Sequence, residues 1–226
     1  MGFDGINLQW FETYLKGRQQ YVKLDDIHSN MQQIKTGVPQ GSILAPILFS
    51  IYTNDLINSH NSFSVSFADD ISILINDKNP ETLSKKVETS LTNIMRWVDA
   101  NKLSLNIQKT SYIIISNKIV GDNFKINLKD IELTRSNTVK ILGVLIDDKL
   151  TFKEHINTLV NKLAKYMYIL VKLAKSIPLY VLRKIYFAHI HPHLLYCLPV
   201  YGTTTKSNTH QIITMQKRII RLLSDS

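Results

Sequence analysis

The stretch SFSVSFADDISILI, residues 62–75, carries the clearest structural pattern of the 226-residue chain. Apolar residues alternate with serines up to Phe67, and the alternation resumes after the adjacent pair Asp69-Asp70. A period of two is typical of a β-strand, and aspartate is common in turns. The pattern predicts a β-hairpin that carries Phe63 and the other apolar residues of its first strand on one face and the two aspartates at its tip.

Two adjacent aspartates at a hairpin tip have two interpretations. One is plain turn chemistry, because an aspartate side chain can bond its own backbone. The other is a metal site, because Mg²⁺ is usually held by one or two protein carboxylates together with substrate phosphates. Metal-assisted nucleotidyl transfer needs such a pair on a rigid base beside a nucleotide. The residues of the hairpin alone leave both interpretations open.

A second motif is the turn GVPQGS, residues 37–42. It lies between a strand-like run and the apolar segment 42–57, which is long enough for a buried helix with Pro46 in its first turn. Gly37 and Gly41 allow the backbone to approach a ligand closely, and N–H groups at a helix start suit phosphate. An ordinary turn rich in glycine and proline explains the same residues.

The remaining periodicities divide the chain near residue 149. Strands and helices mix before this point, and helices alone follow. Thr151 to Glu154 match a capping box at the start of one helix. The predicted helices cover residues 7–16, a segment from Asn79-Pro80 to about 98, a segment from 151 to about 170, and 178–190 and 207–223; the predicted strands cover 21–24, 31–35, 112–115, 124–126, 131–133 and 139–146.

The charge is distributed unevenly. Residues 1–148 carry 15 Lys+Arg against 16 Asp+Glu, whereas residues 149–226 carry 12 against 2, so the net charge of +9 arises in the last third. This asymmetry indicates a surface for polyanions, nucleic acid first and anionic membrane second, although a basic face without a partner remains open.

Other features bear on the location of the protein. The longest apolar run, Ile43–Tyr52, is too short to span a bilayer, and no secretory signal pattern opens the chain. The single cysteine, Cys197, excludes an internal disulfide and fits a reducing compartment. We therefore expect an intracellular protein, in the cytoplasm or nucleus, that is not secreted and has no transmembrane segment.

Five motifs together resemble a known family. In order they are GFDGINLQWFETYLKGRQQYV (2–22), GVPQGSILAPILFSIYTNDL (37–56), FADD (67–70), WVDANKLSLNIQKT (97–110) and VKILGVLIDDKLTFKEHI (139–156). Their order and spacing resemble the palm of the reverse transcriptases of non-LTR retrotransposons, of the LINE and jockey kind. From about residue 170 the likeness is looser. This chain also has Ala45 where the family usually has glycine, and Tyr201-Gly202 where it often has Trp-Gly.

This resemblance implies an α+β fold. A truncated right-hand polymerase palm, an antiparallel sheet with helices, would cover residues 1–148, and an all-helical, basic, thumb-like lobe would cover 149–226. The implied activity is that of an RNA-directed DNA polymerase, which adds deoxynucleotides to a DNA primer on an RNA template by two-metal chemistry. The implied cofactor is Mg²⁺, with Mn²⁺ as a substitute, and no membrane partner is implied.

The resemblance also implies roles for single residues. Asp69 and Asp70 would be the metal ligands, and Lys109, otherwise a plain surface lysine, would act near the departing pyrophosphate. Leu142 and Gly143, otherwise strand and turn, would hold the primer end. The template and incoming nucleotide would be positioned by Gly37, Pro39, Gln40, Gly41 and Ser42, and the nucleic-acid backbone would be followed by Lys162, Lys165, Lys172 and Lys175.

One family residue has no counterpart in this sequence. The first catalytic carboxylate of the family precedes the position of Trp10 by more than the nine residues that precede Trp10 in this chain, and Asp4 has the wrong neighbours to replace it. We expect the full-length element to supply the missing N-terminal palm and fingers, and the isolated chain to be inactive. The alternative from another class is a non-catalytic nucleic-acid-binding remnant, which primer extension would distinguish. A membrane-surface helical protein, which lipid co-sedimentation would test, is a third reading.

Overall fold

The computed structural model describes residues 4–117, 124–128 and 131–224. Its helices are α1 (Gly5–Leu15), α2 (Ala45–Tyr52), α3 (Pro80–Ala100), α4 (Lys153–Leu173), α5 (Leu179–His189), α6 (His191–Leu195), α7 (Leu198–Tyr201) and α8 (Lys206–Leu223). Its strands are β1 (Gln19–Gln20), β2 (Lys23–Leu24), β3 (Ile27–His28), β4 (Gln32–Gln33), β5 (Phe63–Phe67), β6 (Asp70–Leu74), β7 (Ser111–Tyr112), β8 (Asn127–Leu128), β9 (Ile131–Glu132), β10 (Thr134–Arg135), β11 (Thr138–Ile141) and β12 (Val144–Asp147). No helix within these ranges is long and apolar enough to cross a membrane.

The chain forms two compact units. The first contains the described residues up to Asn76 together with Thr92–Asn101, and the second contains Asp77–Leu91 and the described residues from Lys102 onward. The helix α3 therefore contributes one half to each unit. The functional boundary expected near residue 149 stays a prediction, because compactness does not test it.

The predicted hairpin of residues 62–75 is confirmed. The strand β5 pairs with β6 in antiparallel register, with Phe63 opposite Leu74 and Phe67 opposite Asp70. Residues directly opposite each other in an antiparallel pair share a face, and alternate residues of one strand do too. Phe63, Val65 and Phe67 therefore lie on one face, as predicted, and that face is exposed within the first unit.

The segment around α2 differs from its prediction in extent and burial. A buried helix was expected over residues 42–57, but α2 is shorter and only Ala45 among its residues is buried. Proline does occupy the first turn of α2, as expected. A separate 3₁₀ turn, Leu56–Asn58, follows. The apolar character of the segment predicted the helix, whereas burial depends on the surfaces that pack against it.

The predicted strands before α2 are also displaced. Strands were expected at residues 21–24 and 31–35, but the pairs observed are β1 with β4 and β2 with β3. These four short strands run along one antiparallel arm that turns at Asp25, which has a positive φ of 51°. The predicted strands left residues 25–30 for the turn, whereas Leu24 pairs with Ile27 and the turn contains only two residues. The conformation of this turn, and not the spacing of the apolar residues, sets the pairing register of the strands.

The second unit has a helical core. On α4 the buried apolar residues recur every three to seven positions, and this stripe packs against α5, α8 and strand β12. The buried apolar residues of these helices and of β12 form one continuous hydrophobic core. Its buried residues are Val144, Phe152, Ile156, Leu159, Leu163, Leu170, Leu182, Tyr186, Ile190, Leu194, Tyr201, Ile212, Ile219 and Leu223.

The start of α4 is capped differently from the prediction. Thr151 and Glu154 were expected to form a capping box, but Thr151 Oγ1 accepts only a long bond of 3.4 Å from the Lys153 N–H. The carboxylate of Asp147 instead accepts hydrogen bonds from the N–H groups of Thr151 (2.9 Å) and Phe152 (2.6 Å). The capping acid therefore comes from the preceding strand, at a spacing that the local motif does not reveal.

The expected palm sheet is not continuous within the described residues. All six sheets there are two-stranded, and one of them, β7 with β10, is parallel. The mixture of helices and strands is as expected for an α+β fold, whereas the truncated palm with its antiparallel sheet and the thumb-like lobe stay predictions. Residues 124–126 are not a strand, and β8 follows them. Most of these strands have two residues, which is too short to join a wide ladder.

Candidate active site

The two aspartates lie at the tip of the β5–β6 hairpin. Ala68 and Asp69 form the two-residue connection, and Asp70 is the first residue of β6. Because Asp70 is opposite Phe67, its side chain is on the same face as Phe67 and Val65. Ala68 has a φ of 53°, a left-handed conformation that costs energy for a residue with a Cβ. Strained backbone of this kind often occurs at functional sites.

The carboxylates of Asp69 and Asp70 are both exposed. Within the described ranges, no group of three or more His, Cys, Asp or Glu residues is placed to hold a metal ion. The hairpin thus supplies two carboxylates, without a third protein ligand beside them. This donor set fits Mg²⁺, which keeps several waters and is usually bound through one or two carboxylates plus substrate phosphates.

The turn GVPQGS follows the same unit's α1 and is held by a residue just after that helix. Gly37 and Gly41 both have left-handed backbone, with φ of 78° and 81°. The guanidinium of Arg18 donates one hydrogen bond to the Gly37 carbonyl and another, of 2.9 Å, to the Leu15 carbonyl. Arg18 thereby connects the first glycine of the turn to the end of α1.

The other end of the turn is held by a tyrosine of α1. The Tyr14 hydroxyl donates a 2.6 Å hydrogen bond to Ser42 Oγ, which accepts a further bond of 3.1 Å from the Ala45 N–H. Ser42 therefore links α1 to the first turn of α2. We predicted Ser42 as a positioning residue but missed Tyr14 and Arg18. Local sequence did not reveal them, because Tyr14 is 28 positions before Ser42 and Arg18 is 19 positions before Gly37.

Lys109 ends a short 3₁₀ turn, Ile107–Lys109, in the second unit. The Asn106 side chain accepts a hydrogen bond of 3.2 Å from the Lys109 N–H and so caps this turn. The side chain of Lys109 is exposed. Its backbone is therefore fixed while its ammonium group can reach an anion in solvent.

Leu142 and Gly143 form the two-residue turn between β11 and β12. Both have positive φ, 46° and 89°, which is the combination of the tight turns that suit the twist of a hairpin. The Tyr196 hydroxyl donates a hydrogen bond of 2.5 Å to the Leu142 carbonyl. This exposed turn is thus held in place by Tyr196, a residue distant in sequence. We predicted the turn but not its contact with Tyr196.

The second strand of the same hairpin, β12, contacts α4. The Leu145 N–H donates a long hydrogen bond of 3.4 Å to Nδ1 of His155, and the His155 ring lies 5.1 Å from that of buried Tyr201. Burial lowers the pKa of His155 below its ordinary value. The neutral imidazole is therefore favoured, and it can accept this bond from the backbone.

The four lysines predicted to follow nucleic acid are all exposed on or just after α4. Lys165 and Lys172 are seven residues apart and so share one face of the helix. The Lys172 ammonium lies 4.6 Å from the centroid of the Tyr168 ring. The segment 155–224 contains ten Lys+Arg and no Asp or Glu. This stretch is therefore strongly attractive to phosphates.

The predicted site residues are divided between the two units. Asp69, Asp70 and the GVPQGS turn belong to the first unit, whereas Lys109, Leu142, Gly143 and the four lysines belong to the second. In the first unit the glycine-rich turn is hydrogen-bonded to Tyr14 of α1 and to the start of α2. In the second unit the Leu142–Gly143 turn is hydrogen-bonded to Tyr196. The assembly of both sets into one site belongs to the proposed function.

The described residues thus contain an aspartate pair on a β-hairpin, a glycine-rich turn before a helix and a basic helical segment. The family model described as reverse transcriptase (RNA-dependent DNA polymerase) matches residues 2–146. The chain belongs to this family.

The curated relatives come from mobile elements. The chain is 26% identical over 226 residues to the probable RNA-directed DNA polymerase from transposon BS of Drosophila melanogaster. It is 28% identical over 228 residues to the RNA-directed DNA polymerase from mobile element jockey of Drosophila funebris. Each alignment covers 95–96% of this chain but 25% of the relative, so the chain spans about a quarter of their length.

A third relative matches over a shorter range. The retrovirus-related Pol polyprotein from type-1 retrotransposable element R1 2 of Nasonia vitripennis is 26% identical over 137 residues, which are 57% of this chain and 33% of that protein. No solved structure matches the chain. The resemblance to reverse transcriptases of non-LTR retrotransposons, of the LINE and jockey kind, is thus confirmed.

Proposed function

We propose that this chain is the palm and thumb part of an RNA-directed DNA polymerase of a retrotransposon. The substrates would be an RNA template, a DNA primer and deoxynucleoside triphosphates. The observation that carries the proposal is the pair Asp69-Asp70, exposed on the tip of a rigid hairpin in a chain of this family. The membership and the relatives favour this enzyme over a non-catalytic remnant.

In this proposal Asp69 and Asp70 would hold the divalent cation, Mg²⁺ or Mn²⁺. When bound, such an ion stabilises the negative charge that develops on the transferring phosphoryl group. The chain's own contribution is to hold both carboxylates at a fixed point, because β5 and β6 constrain the tip on both sides. The strained Ala68 directs the chain into the tight turn that presents Asp69.

The other residues would bind and orient the substrates. The turn from Gly37 to Ser42, with Pro39 and Gln40 between the glycines, would position the template and the incoming nucleotide, and Arg18 and Tyr14 would keep that turn in place. Lys109 would donate a proton to the departing pyrophosphate or stabilise its charge. Leu142 and Gly143 would hold the primer end. Four lysines of the thumb, which covers residues 149–226 in this proposal, would contact phosphates without base preference: Lys162, Lys165, Lys172 and Lys175.

The test is primer extension by the gene-encoded protein that contains this chain. It should incorporate labelled deoxynucleotides on an RNA template with a DNA primer, in Mg²⁺ and in Mn²⁺. The Asp69→Ala variant should lose roughly a hundredfold to a thousandfold or more of this activity, since charge stabilisation at the reacting phosphate is a major catalytic contribution. The control is Asp25→Ala, which removes an exposed carboxylate from another turn of the same unit.

Full activity of the Asp69→Ala variant would contradict the proposal, as would an equal loss in the Asp25→Ala control. The same assay on the purified 226-residue chain tests the expectation that it makes no DNA alone. Incorporation by this chain that Asp69→Ala abolishes would contradict that expectation.

A further inference from the structure

The outer face of α5 combines aromatic rings with a cation and is not used by the proposed polymerase site. Tyr180 and Phe187 are 63% and 60% exposed. Tyr180, Lys184, Phe187 and His191 follow one another at intervals of four, three and four residues, so they share one side of the helix and its continuation into α6. We call these four residues the α5 outer face.

The rings of this face are held in position by their neighbours. The Lys184 ammonium lies 5.7 Å from the centroid of the Tyr180 ring, within the range of a cation–π contact. The Phe187 ring packs edge-on against the ring of His191 at 5.2 Å and that of buried Tyr186 at 5.1 Å. Each exposed ring therefore presents a surface that its neighbours already orient.

The neighbouring cation Arg183 has a different role. Its guanidinium donates hydrogen bonds of 3.2 and 3.4 Å to the carbonyl of Leu223 at the end of α8. Arg183 thereby satisfies a helix end in the core of the second unit. Lys184 is consequently the cation of α5 that can meet a ligand.

The composition of the exposed side of α5 argues against a protein partner. Its exposed residues are Tyr180, Arg183, Lys184, Phe187, Ala188 and His189, whereas its leucines, isoleucine and valine are buried or half-buried. A helix that docks in a protein groove does so through an apolar face, whereas the apolar stripe of α5, with Leu179, Leu182 and Ile185, already packs into the core of its own unit. The absence of any Asp or Glu between residues 155 and 224 matches a polyanion instead.

Aromatic rings distinguish single strands from duplexes. Every unpaired base has a π-face that can stack on tyrosine or phenylalanine, whereas the bases of a duplex are already stacked on each other. Phosphates on either side of an unpaired base could then meet Lys184. Tyr180 and Phe187 are about 10 Å apart along the helix axis, a distance that successive nucleotides of one strand can span.

We propose that the α5 outer face binds single-stranded nucleic acid by stacking unpaired bases on Tyr180 and Phe187. In the setting of the proposed function, which it extends, this strand would be template that is not paired with primer. The binding itself is a property of the chain whether or not DNA is made. A binding experiment therefore separates a failure of this proposal from a failure of the polymerase proposal.

The first experiment places a reporter on the face. In the full 226-residue chain, Phe187→Trp puts an indole where a base would stack, and Ile213→Trp puts one at an exposed position of α8 as a matched control. Titration with a 20-nucleotide oligouridylate should quench the added fluorescence of the Phe187→Trp chain and not that of the control. Equal quenching in both, or in neither, would overturn the proposal.

The second experiment separates stacking from general attraction. The Tyr180→Ala/Phe187→Ala double variant should bind the oligouridylate roughly tenfold or more weakly, yet bind a 20-base-pair RNA duplex as the parent chain does. The Tyr180→Leu/Phe187→Leu variant, which keeps apolar bulk without a π-face, should show the same selective loss. Full affinity in the leucine variant would show a merely apolar contact and overturn the proposal, and so would an equal loss for duplex and single strand.

The folding of these variants is checked by circular dichroism and thermal melting. Both rings are largely exposed, so we expect unchanged helix content. If the alanine variant is less folded, the leucine variant and the tryptophan titration still decide the outcome, because neither removes the side chain's bulk from the helix.

Discussion

Asp147 is the residue on which the start of α4 depends. Its carboxylate accepts hydrogen bonds from the backbone N–H groups of Lys149, Thr151 and Phe152. Burial by itself raises the pKa of Asp147, but the hydrogen bonds from Thr151, Phe152 and Lys149 outweigh it and place the pKa below the ordinary value. The ionised form of Asp147 therefore stabilises the folded state more than the protonated form does.

The first prediction concerns this carboxylate. Asp147→Ala should lower the free energy of unfolding at pH 7 by about 1–3 kcal/mol, because it leaves partly buried N–H groups without a partner. Because the pKa is lower in the folded state, the contribution of Asp147 is present above the unfolded pKa of about 4 and is lost as the pH falls through the folded value. Urea unfolding at several pH values measures both effects.

The control is Asp148→Ala, which removes the neighbouring carboxylate. This variant should unfold within about 0.5 kcal/mol of the parent chain. If Asp147→Ala loses no more stability than Asp148→Ala, or if its deficit persists unchanged at acid pH, the capping role assigned to Asp147 is wrong.

Gly202 is a second residue whose identity the packing requires. A Cβ at this position would lie 2.5 Å from the Leu198 carbonyl oxygen, which is a backbone atom and cannot move aside easily. The preceding residue, Tyr201, is 1% exposed and its hydroxyl donates a hydrogen bond to the Leu194 carbonyl. Movement at Gly202 would therefore disturb a buried ring of the core.

The second prediction follows from this contact. Gly202→Ala should destabilise the chain by about 1–3 kcal/mol, the usual cost of overpacking. The matched control is Thr203→Ala at the next, exposed position, which should cost far less. Denaturant midpoints of the two variants are to be compared; a harmless Gly202→Ala would mean that the turn after α7 can relax freely.

At the scale of elements, the β5–β6 hairpin carries strain at its turn. Ala68 has a φ of 53° in a two-residue connection, a conformation that glycine adopts without cost and alanine does not. The turn is therefore stable only because the paired strands and their register impose it. This is the element that presents both proposed metal ligands.

The third prediction uses this strain. Ala68→Gly should raise the stability of the chain by up to about 1 kcal/mol, since it removes the conformational penalty. The same change at Ala188, an exposed position inside α5, should lower stability by about 1 kcal/mol, because glycine is a poor helix residue. Opposite signs of the two shifts in thermal unfolding are expected; equal signs would refute the left-handed turn at Ala68.

At the scale of the whole molecule, charge separates the chain into a nearly neutral part and a basic part. Residues 155–224 hold ten Lys+Arg without a single carboxylate. No ion pair involves residues 149–224, which lie within the described ranges. Apart from Arg183, which is hydrogen-bonded to the Leu223 carbonyl, these cations are consequently available to phosphates.

The fourth prediction is that the chain binds nucleic acid with a strong dependence on salt. If about six phosphates are neutralised, the affinity should fall roughly a thousandfold or more between 50 and 200 mM salt. Lys165→Gln and Lys172→Gln should each reduce the slope of log affinity against log salt by about one. Fluorescence anisotropy across a series of KCl concentrations measures these slopes.

The control for this prediction is Lys16→Gln in the first unit, where the lysine is paired with Glu12. It should leave the slope unchanged. An affinity that does not depend on salt, or equal slope changes for all three variants, would contradict the assignment of the basic helices as the nucleic-acid surface.

Much of the local structure could be predicted from particular residues. The alternation around Asp69-Asp70 predicted the hairpin, and Asn79-Pro80 predicted the start of α3. These signals succeed because each depends on backbone chemistry within a few residues. The burial of α2, the register of the arm from β1 to β4 and the pairing of β7 with β10 could not be predicted, because they depend on which distant segment offers a surface or a free edge.

The sequence by itself determined the family, the positions of the motifs and the concentration of basic residues after residue 148, since each is a property of residue order and composition. Only the tertiary structure decided which residues hold those motifs in place. Arg18 and Tyr14 on the glycine-rich turn, Tyr196 on the Leu142 carbonyl and the exposed side of α5 all result from contacts or exposure that folding creates. A hydrogen bond between residues 54 positions apart leaves no trace in local periodicity, because its free energy depends on distance in space and not along the chain.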